Sequence, residues 1–157
     1  VAGDKEVISY LRFNLRSQIY AKSLPMAMTI GAIKRLEMIK THPELREKLW
    51  ENANALQKGF REAGFDLGKT ESPVTPVFFK SGLAQTTQLI KDLRKNYGIF
   101  CSVVIYPVVP RGVIMLRIIP TAAHTMEDVN YTLKAFKKVK QKLESNAYPD
   151  EMADFSN

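Results

Sequence analysis

One short run constrains this chain more than any other: Val113-Ile114-Met115-Leu116-Arg117-Ile118-Ile119-Pro120. A β-branched, apolar stretch closed by proline reads as a buried or half-buried strand. It carries a single charge, Arg117. A guanidinium stays charged at any accessible pH, and leaving it unpaired in dry surroundings costs several kcal/mol. Either an internal Asp or Glu or an anionic ligand must answer it. Strand alternation puts Met115, Arg117 and Ile119 on one face and Ile114, Leu116 and Ile118 on the other. A guanidinium fixed on such a strand can act as a bidentate clamp for a carboxylate or phosphate. A structural ion pair with an acid of a neighbouring helix explains the residue equally well.

The rest of the chain supplies helices and a few more strands. Asp4 can cap a first helix through Glu6, Val7, Tyr10 and Leu11, and a polar stretch over residues 12–22 leads to Ser23-Leu24-Pro25. Met26, Ile30, Ile33 and Leu36 recur at helical spacing, with Lys34, Glu37 and Lys40 opposite. Pro43 suits the first position of the next helix. Its stripe is Leu45, Leu49, Ala53, Leu56, Phe60 and Ala63, and Gly64 ends it. Strands are expected over 65–67, 74–79, 99–106 and 113–119, with Pro76 marking an edge or bulge. A helix over 83–97 is closed by Gly98. Thr125 and Asp128 have capping-box spacing and open a last helix through Val129, Leu133, Phe136, Val139 and Leu143. The polar tail from Ser145 is expected to fray. The pattern is α+β: a small, mainly antiparallel sheet with helices packed on one face, preceded by further helices.

Composition narrows the function by exclusion. The 157 residues suit one domain with a core, and no stretch approaches the roughly 20 apolar residues of a membrane span. The start, Val1-Ala2-Gly3-Asp4, lacks the basic and apolar regions of a secretory signal and also an initiator Met, so a processed or excised piece of a longer protein is expected. Cys101 is the only cysteine, which fits a reducing compartment and reads as an inert core residue. The net charge of +7 is spread along helices and interleaved with acids, as in Lys34-Arg35-Leu36-Glu37, so solvated helix faces rather than a nucleic-acid surface are expected. His42 and His124 belong to no metal-ligand spacing. No dinucleotide, P-loop, nucleophile-elbow or zinc-protease motif is present, and no carboxylate pair stands out as an acid/base couple. From the residues alone, a basic α+β binding module for nucleic acid or a regulatory anion remains the alternative to part of an enzyme.

Residues 106–125, reading YPVVPRGVIMLRIIPTAAHT, resemble the C-terminal signature of the α-oxoamine synthases. Members of that family of pyridoxal 5'-phosphate (PLP) enzymes carry a proline-bearing loop, a strand with an Arg, and a small-residue stretch ending in His-Thr before the last helix. Pro107 to Pro110, Arg117 and Ala122-Ala123-His124-Thr125 match in order and spacing. Val1-Ala2-Gly3-Asp4-Lys5-Glu6-Val7 resembles the passage soon after the PLP lysine, and the IYAKSLP segment at 19–25 resembles the one that crosses to the partner subunit. The likeness extends to about Leu143. Within the family, the Pro107-Val108-Val109-Pro110 phrase and its strand are most similar to bacterial serine palmitoyltransferases, with glycine C-acetyltransferases (2-amino-3-ketobutyrate CoA ligases) next.

The resemblance implies a C-terminal fragment: residues 1–25 as the end of a large PLP domain and crossing segment, 26–144 as the small domain, and 145–157 as a tail. The implied parent is a homodimeric, PLP-dependent acyltransferase acting on serine or glycine and an acyl-CoA. It would be cytoplasmic, and peripheral to the membrane if a serine palmitoyltransferase. Arg117 is implied to bind the carboxylate of the amino-acid substrate. No catalytic residue is expected in the chain itself, because no lysine here has the Ser/Thr-x-x-Lys context of the Schiff-base lysine. The chain alone is therefore expected to be inactive. Where members place a Ser or Thr against the partner subunit's PLP phosphate, Tyr20 is followed here by Ala21, which lacks a hydroxyl. Ser23 is the nearest substitute.

Overall fold

A computed structural model describes residues 2–148. The chain divides into two compact units, residues 1–42 and 43–157. The first unit holds helices α1 (Lys5–Asn14), α2 (Arg16–Ile19) and α3 (Met26–Thr41). Asp4 occupies the cap position of α1, but its side chain makes no capping hydrogen bond. The polar stretch over 12–22 carries the last turn of α1 and the single turn α2. Leu15 is extended between them, and its N–H still bonds the Leu11 carbonyl. No residue of these three helices is buried. Ile30, Ile33 and Leu36, the apolar stripe of α3, are exposed. Such a stripe is stable in water only when something covers it.

In the second unit, helix α4 (Pro43–Glu62) is followed by β1 (Thr75–Phe79), α5 (Leu83–Tyr97), β2 (Ser102–Val104), β3 (Ile114–Ile118) and α6 (Met126–Glu144). The three strands form an antiparallel sheet in the order β1-β3-β2. One face packs on the helices. Val77, Leu116 and Ile118 join Leu56 and Phe60 of α4, Leu89 and Leu93 of α5, and Val129, Phe136 and Val139 of α6. Edge-to-face contacts of Phe60 with Phe65 and Phe136, at 5.3 and 5.0 Å between centroids, tie α4 to the loop after it and to α6. The expected α+β architecture, with a small antiparallel sheet and helices on one face, is the one observed. No helix among the described residues is long and apolar enough to cross a membrane.

The helix ends follow local chemistry. Pro43 opens α4, and Gly64 and Gly98 follow α4 and α5 with φ of +72° and +66°, a left-handed conformation that costs a glycine nothing. At the end of α4, Lys140 donates from Nζ to the carbonyls of Ala63 and Gly64, at 3.0 and 2.8 Å. Thr125 and Asp128 form the expected capping box of α6.

Two expectations fail for tertiary reasons. Residues 65–67 do not form a strand; only a single bridge joins Asp66 to Phe78. The Phe78 N–H reaches the Asp66 carbonyl at 2.9 Å. Two residues earlier on the same outer edge stands Pro76, which has no N–H, so the ladder stops. Nor do residues 145–148 fray. Ala147 donates to the Lys142 carbonyl at 2.9 Å, and Tyr148 is buried, with its hydroxyl on Asp92. The rest of the expected tail lies outside the described residues.

Candidate substrate-carboxylate site

Arg117 sits on β3, the central strand, directly between Pro76 of β1 and Ser102 of β2. Because α4, α5 and α6 pack on one face of the sheet, alternate residues diverge. Ile114, Leu116 and Ile118 are buried, Met115 is half-buried and Arg117 is exposed. Of the two readings, buried or half-buried, the half-buried one holds, and the charge stands on the face where water reaches it. Among the described residues no Asp or Glu forms an ion pair with Arg117, so the structural-pair alternative is not realised. Among the described residues its one hydrogen bond runs from Nε to the Ser102 hydroxyl, at 3.2 Å. The terminal nitrogens keep their donors for another partner.

The β2–β3 connection carries two backbone hydrogen bonds of its own. The Tyr106–Pro107 bond is cis, Val108 donates to the Ile105 carbonyl at 3.0 Å, and Val113 donates to the Pro110 carbonyl at 3.1 Å. The Arg111 guanidinium lies over the Tyr106 ring, 4.7 Å from its centroid.

Beyond β3, the Thr121-to-Thr125 stretch is anchored from below. The fully buried amide of Asn52 on α4 donates to the carbonyls of Thr121 and His124, at 3.0 and 2.8 Å. His124 accepts the Thr121 N–H on Nδ1 at 2.9 Å, so in the neutral ring Nε2 carries the proton. It is the hydrogen-bonded loop residue that its position suggests. The Asp128 carboxyl is held below the usual range by the backbone N–H and then the hydroxyl of Thr125. His124 and Asp128 share the wall of a cleft of about 520 Å³ with Tyr97, Phe100, Ile119 and Tyr131, and Arg117 is not part of it. The motif's Arg and His thus serve different places.

The other sequence candidates lie in the first unit. Tyr20 ends α2, with its N–H on the Arg16 carbonyl, and its ring is exposed. Ala21 and Ser23 follow in the irregular, exposed segment before α3. Asn52 and Ser102 escaped the sequence reading. Asn52 left a faint signal, since it stands four and eight residues before Leu56 and Phe60, on a face that proves buried.

The profile of the aminotransferase class I and II family matches residues 1–136. The chain belongs to this family. It is 53% identical over 148 residues to a cysteate-C-fatty acyltransferase of Capnocytophaga ochracea, covering 94% of this chain and 35% of that protein. It is 36% identical over 145 residues to an 8-amino-7-oxononanoate synthase of Thermoanaerobacter pseudethanolicus, covering 91% and 36%. Among solved structures it resembles a serine palmitoyltransferase of S. paucimobilis with a bound PLP–myriocin aldimine. The TM-score is 0.77 at 26% identity, over 92% of this chain and 36% of that one. This member of the class I and II family thus spans about a third of the length of the curated relatives it matches, 35% and 36% for the two named. The resemblance to α-oxoamine synthases stands.

Proposed function

We propose that this chain is the C-terminal part of a PLP-dependent acyltransferase that joins the α-carbon of an amino acid to the acyl group of an acyl-CoA. In that reaction a bond forms between Cα and the acyl carbon. The Cα–carboxylate bond breaks to release CO2, and CoA leaves as the thiol. PLP supplies the electron sink that lets a bond to Cα break, and a lysine of the parent outside this chain holds it. The work assigned to this chain is positional. Arg117 grips the substrate carboxylate and so sets which bond to Cα can break. The observation that carries the reading is the exposed guanidinium on the central strand, pinned at Nε and with no acid paired to it among the described residues. Family membership weighs against a free-standing nucleic-acid or anion-binding module.

The acyl group is proposed to be a fatty acyl chain, and the amino acid L-cysteate or L-serine, after the relatives that carry those names. Residues 1–25 are proposed as the end of the large domain, with Tyr20, Ala21 and Ser23 near the PLP phosphate of the partner subunit in a homodimer. A cytoplasmic location completes the reading. The test is steady-state kinetics of the parent enzyme with palmitoyl-CoA and, in turn, L-cysteate, L-serine and glycine. Losing a bidentate, charge-assisted grip removes about 3 kcal/mol, so Arg117→Ala should raise the amino-acid KM on the order of 100-fold. The PLP absorbance should persist. An unchanged amino-acid KM in that variant would overturn the assignment of Arg117.

A further inference from the structure

We infer that Ser102 is a positioning residue, which fixes the Arg117 guanidinium so that it meets the substrate carboxylate end-on through its two terminal nitrogens. The inference rests on the reading of Arg117 as the carboxylate clamp. The geometry is specific to this row of the sheet. Arg117 has one neighbour on each side, Pro76 and Ser102. Proline offers its ring and no side-chain acceptor. Ser102 offers a hydroxyl, and Nε donates to it at 3.2 Å. The next row on the same face, Phe78, Met115 and Val104, is apolar, as is Ile119 two residues along β3.

A guanidinium can bind a carboxylate side-on, through Nε and one terminal nitrogen, or end-on, through both terminal nitrogens. With Nε engaged by Ser102, the side-on edge is occupied and the end-on fork remains. An unanchored arginine on an open sheet face samples several rotamers, and holding one of them costs entropy at each binding event. The Ser102 bond holds the side chain in place before substrate arrives. It spans two strands already locked in register, so the fork's direction is set by the sheet rather than by the loop.

The experiment is a variant series in the full-length parent enzyme, with palmitoyl-CoA and whichever of L-cysteate, L-serine and glycine it turns over. Ser102→Ala should raise the amino-acid KM about 5- to 10-fold, the worth of one modest hydrogen bond. The kcat and the acyl-CoA KM should stay within about twofold of wild type, because only carboxylate binding is touched. Ser102→Thr and Ser102→Val are nearly isosteric and both suit a strand, but only threonine keeps the hydroxyl. Threonine should restore the wild-type KM and valine should match alanine. In an Arg117→Ala background, Ser102→Ala should add less than about twofold, since a residue acting through another has nothing left to act on. Equal KM values for the threonine and valine variants would overturn the inference, as would a flat KM in Ser102→Ala or a full effect in the Arg117→Ala background. Those results, with a large effect of Arg117→Ala itself, would leave the clamp standing. A normal KM in Arg117→Ala would remove the clamp and the inference together.

Discussion

Asp92 gives the sharpest test of what holds the second unit together. Its carboxylate, on α5, is only 9% exposed and takes three donors. These are Lys142 Nζ at 2.8 Å, the Tyr148 hydroxyl at 2.5 Å and the Asn96 amide at 2.6 Å. The cluster joins α5 to α6 and fastens the chain beyond α6. Asp92→Ala frees Lys142, whose side chain is 43% exposed and can turn to water, so that loss is worth about 0–1 kcal/mol. The Tyr148 hydroxyl is different. Its residue is 7% exposed, and a buried donor left without an acceptor costs about 1–3 kcal/mol. The expected total is about 1–4 kcal/mol, with Tyr148→Phe intermediate and Lys142→Met the mildest.

The pH dependence has two signs. Burial pushes the Asp92 carboxyl up, but the bonds from Lys142, Tyr148 and Asn96 outweigh it, and the net pKa lies below the ordinary 3.8. The folded form therefore binds its proton less readily than the unfolded one. This contribution is present above pH 3.8 and is lost as pH falls further. Burial, and then the bond and charge of Asp92, push the Tyr148 phenol above its ordinary 10.0. That contribution is present below pH 10.0 and is lost above it. Urea unfolding of the chain, followed by circular dichroism across the pH range, should show both limbs in wild type. The acid limb should shrink in Asp92→Ala and the alkaline limb in Tyr148→Phe. If Tyr148→Phe stays within about 0.5 kcal/mol of wild type with an unaltered alkaline limb, the cluster does not hold the fold as argued here.

Gly59→Ala tests a close approach of α4 and α6: an added Cβ would collide with Leu133 Cδ1 and stand 2.9 Å from its Cδ2 and 3.2 Å from its Cγ. Overpacking of about 1–3 kcal/mol should exceed the helix-propensity gain of about 1, so the variant should be less stable in urea. In a Leu133→Ala background the same change should become stabilising, and a failure of the sign to reverse would refute the packing argument. Cys101 is 6% exposed, and burial pushes its thiol up to about 11. The native chain at pH 8 should resist Ellman's reagent while the urea-unfolded chain reacts at once. Rapid labelling under native conditions would show that the core around Cys101 opens.

Much of this was legible because it is local. The stripe of α4, the proline that opens it and the glycines that follow α4 and α5 act within a few residues of chain, as does the Thr125–Asp128 box. Periodicity and capping report such interactions directly. The errors were equally physical. Residues 65–67 look like a strand, but a strand needs a neighbour, and Pro76 denies it one. Residues 145–148 look like a polar end, yet Tyr148 finds a carboxylate 56 positions earlier in the chain. Asn52 reaches the Thr121 and His124 carbonyls across 69 and 72 positions. No window of sequence contains both ends of such a bond.

Arg117 divides the two kinds of information most clearly. The sequence alone determined that a charge interrupts an apolar strand, that it shares a face with Met115 and Ile119, and that a proline loop and a small-residue stretch flank it. Period-two alternation says that the two faces of a strand differ, without saying which one is covered. Helix packing decided that: α4, α5 and α6 all lie against the Leu116 face, so Arg117 faces outward. Sheet register then placed Ser102 beside it and, among the described residues, no acid against it. The partner of a charge depends on which strands and helices meet, and that is settled by burying the whole core at once rather than by any segment of the chain.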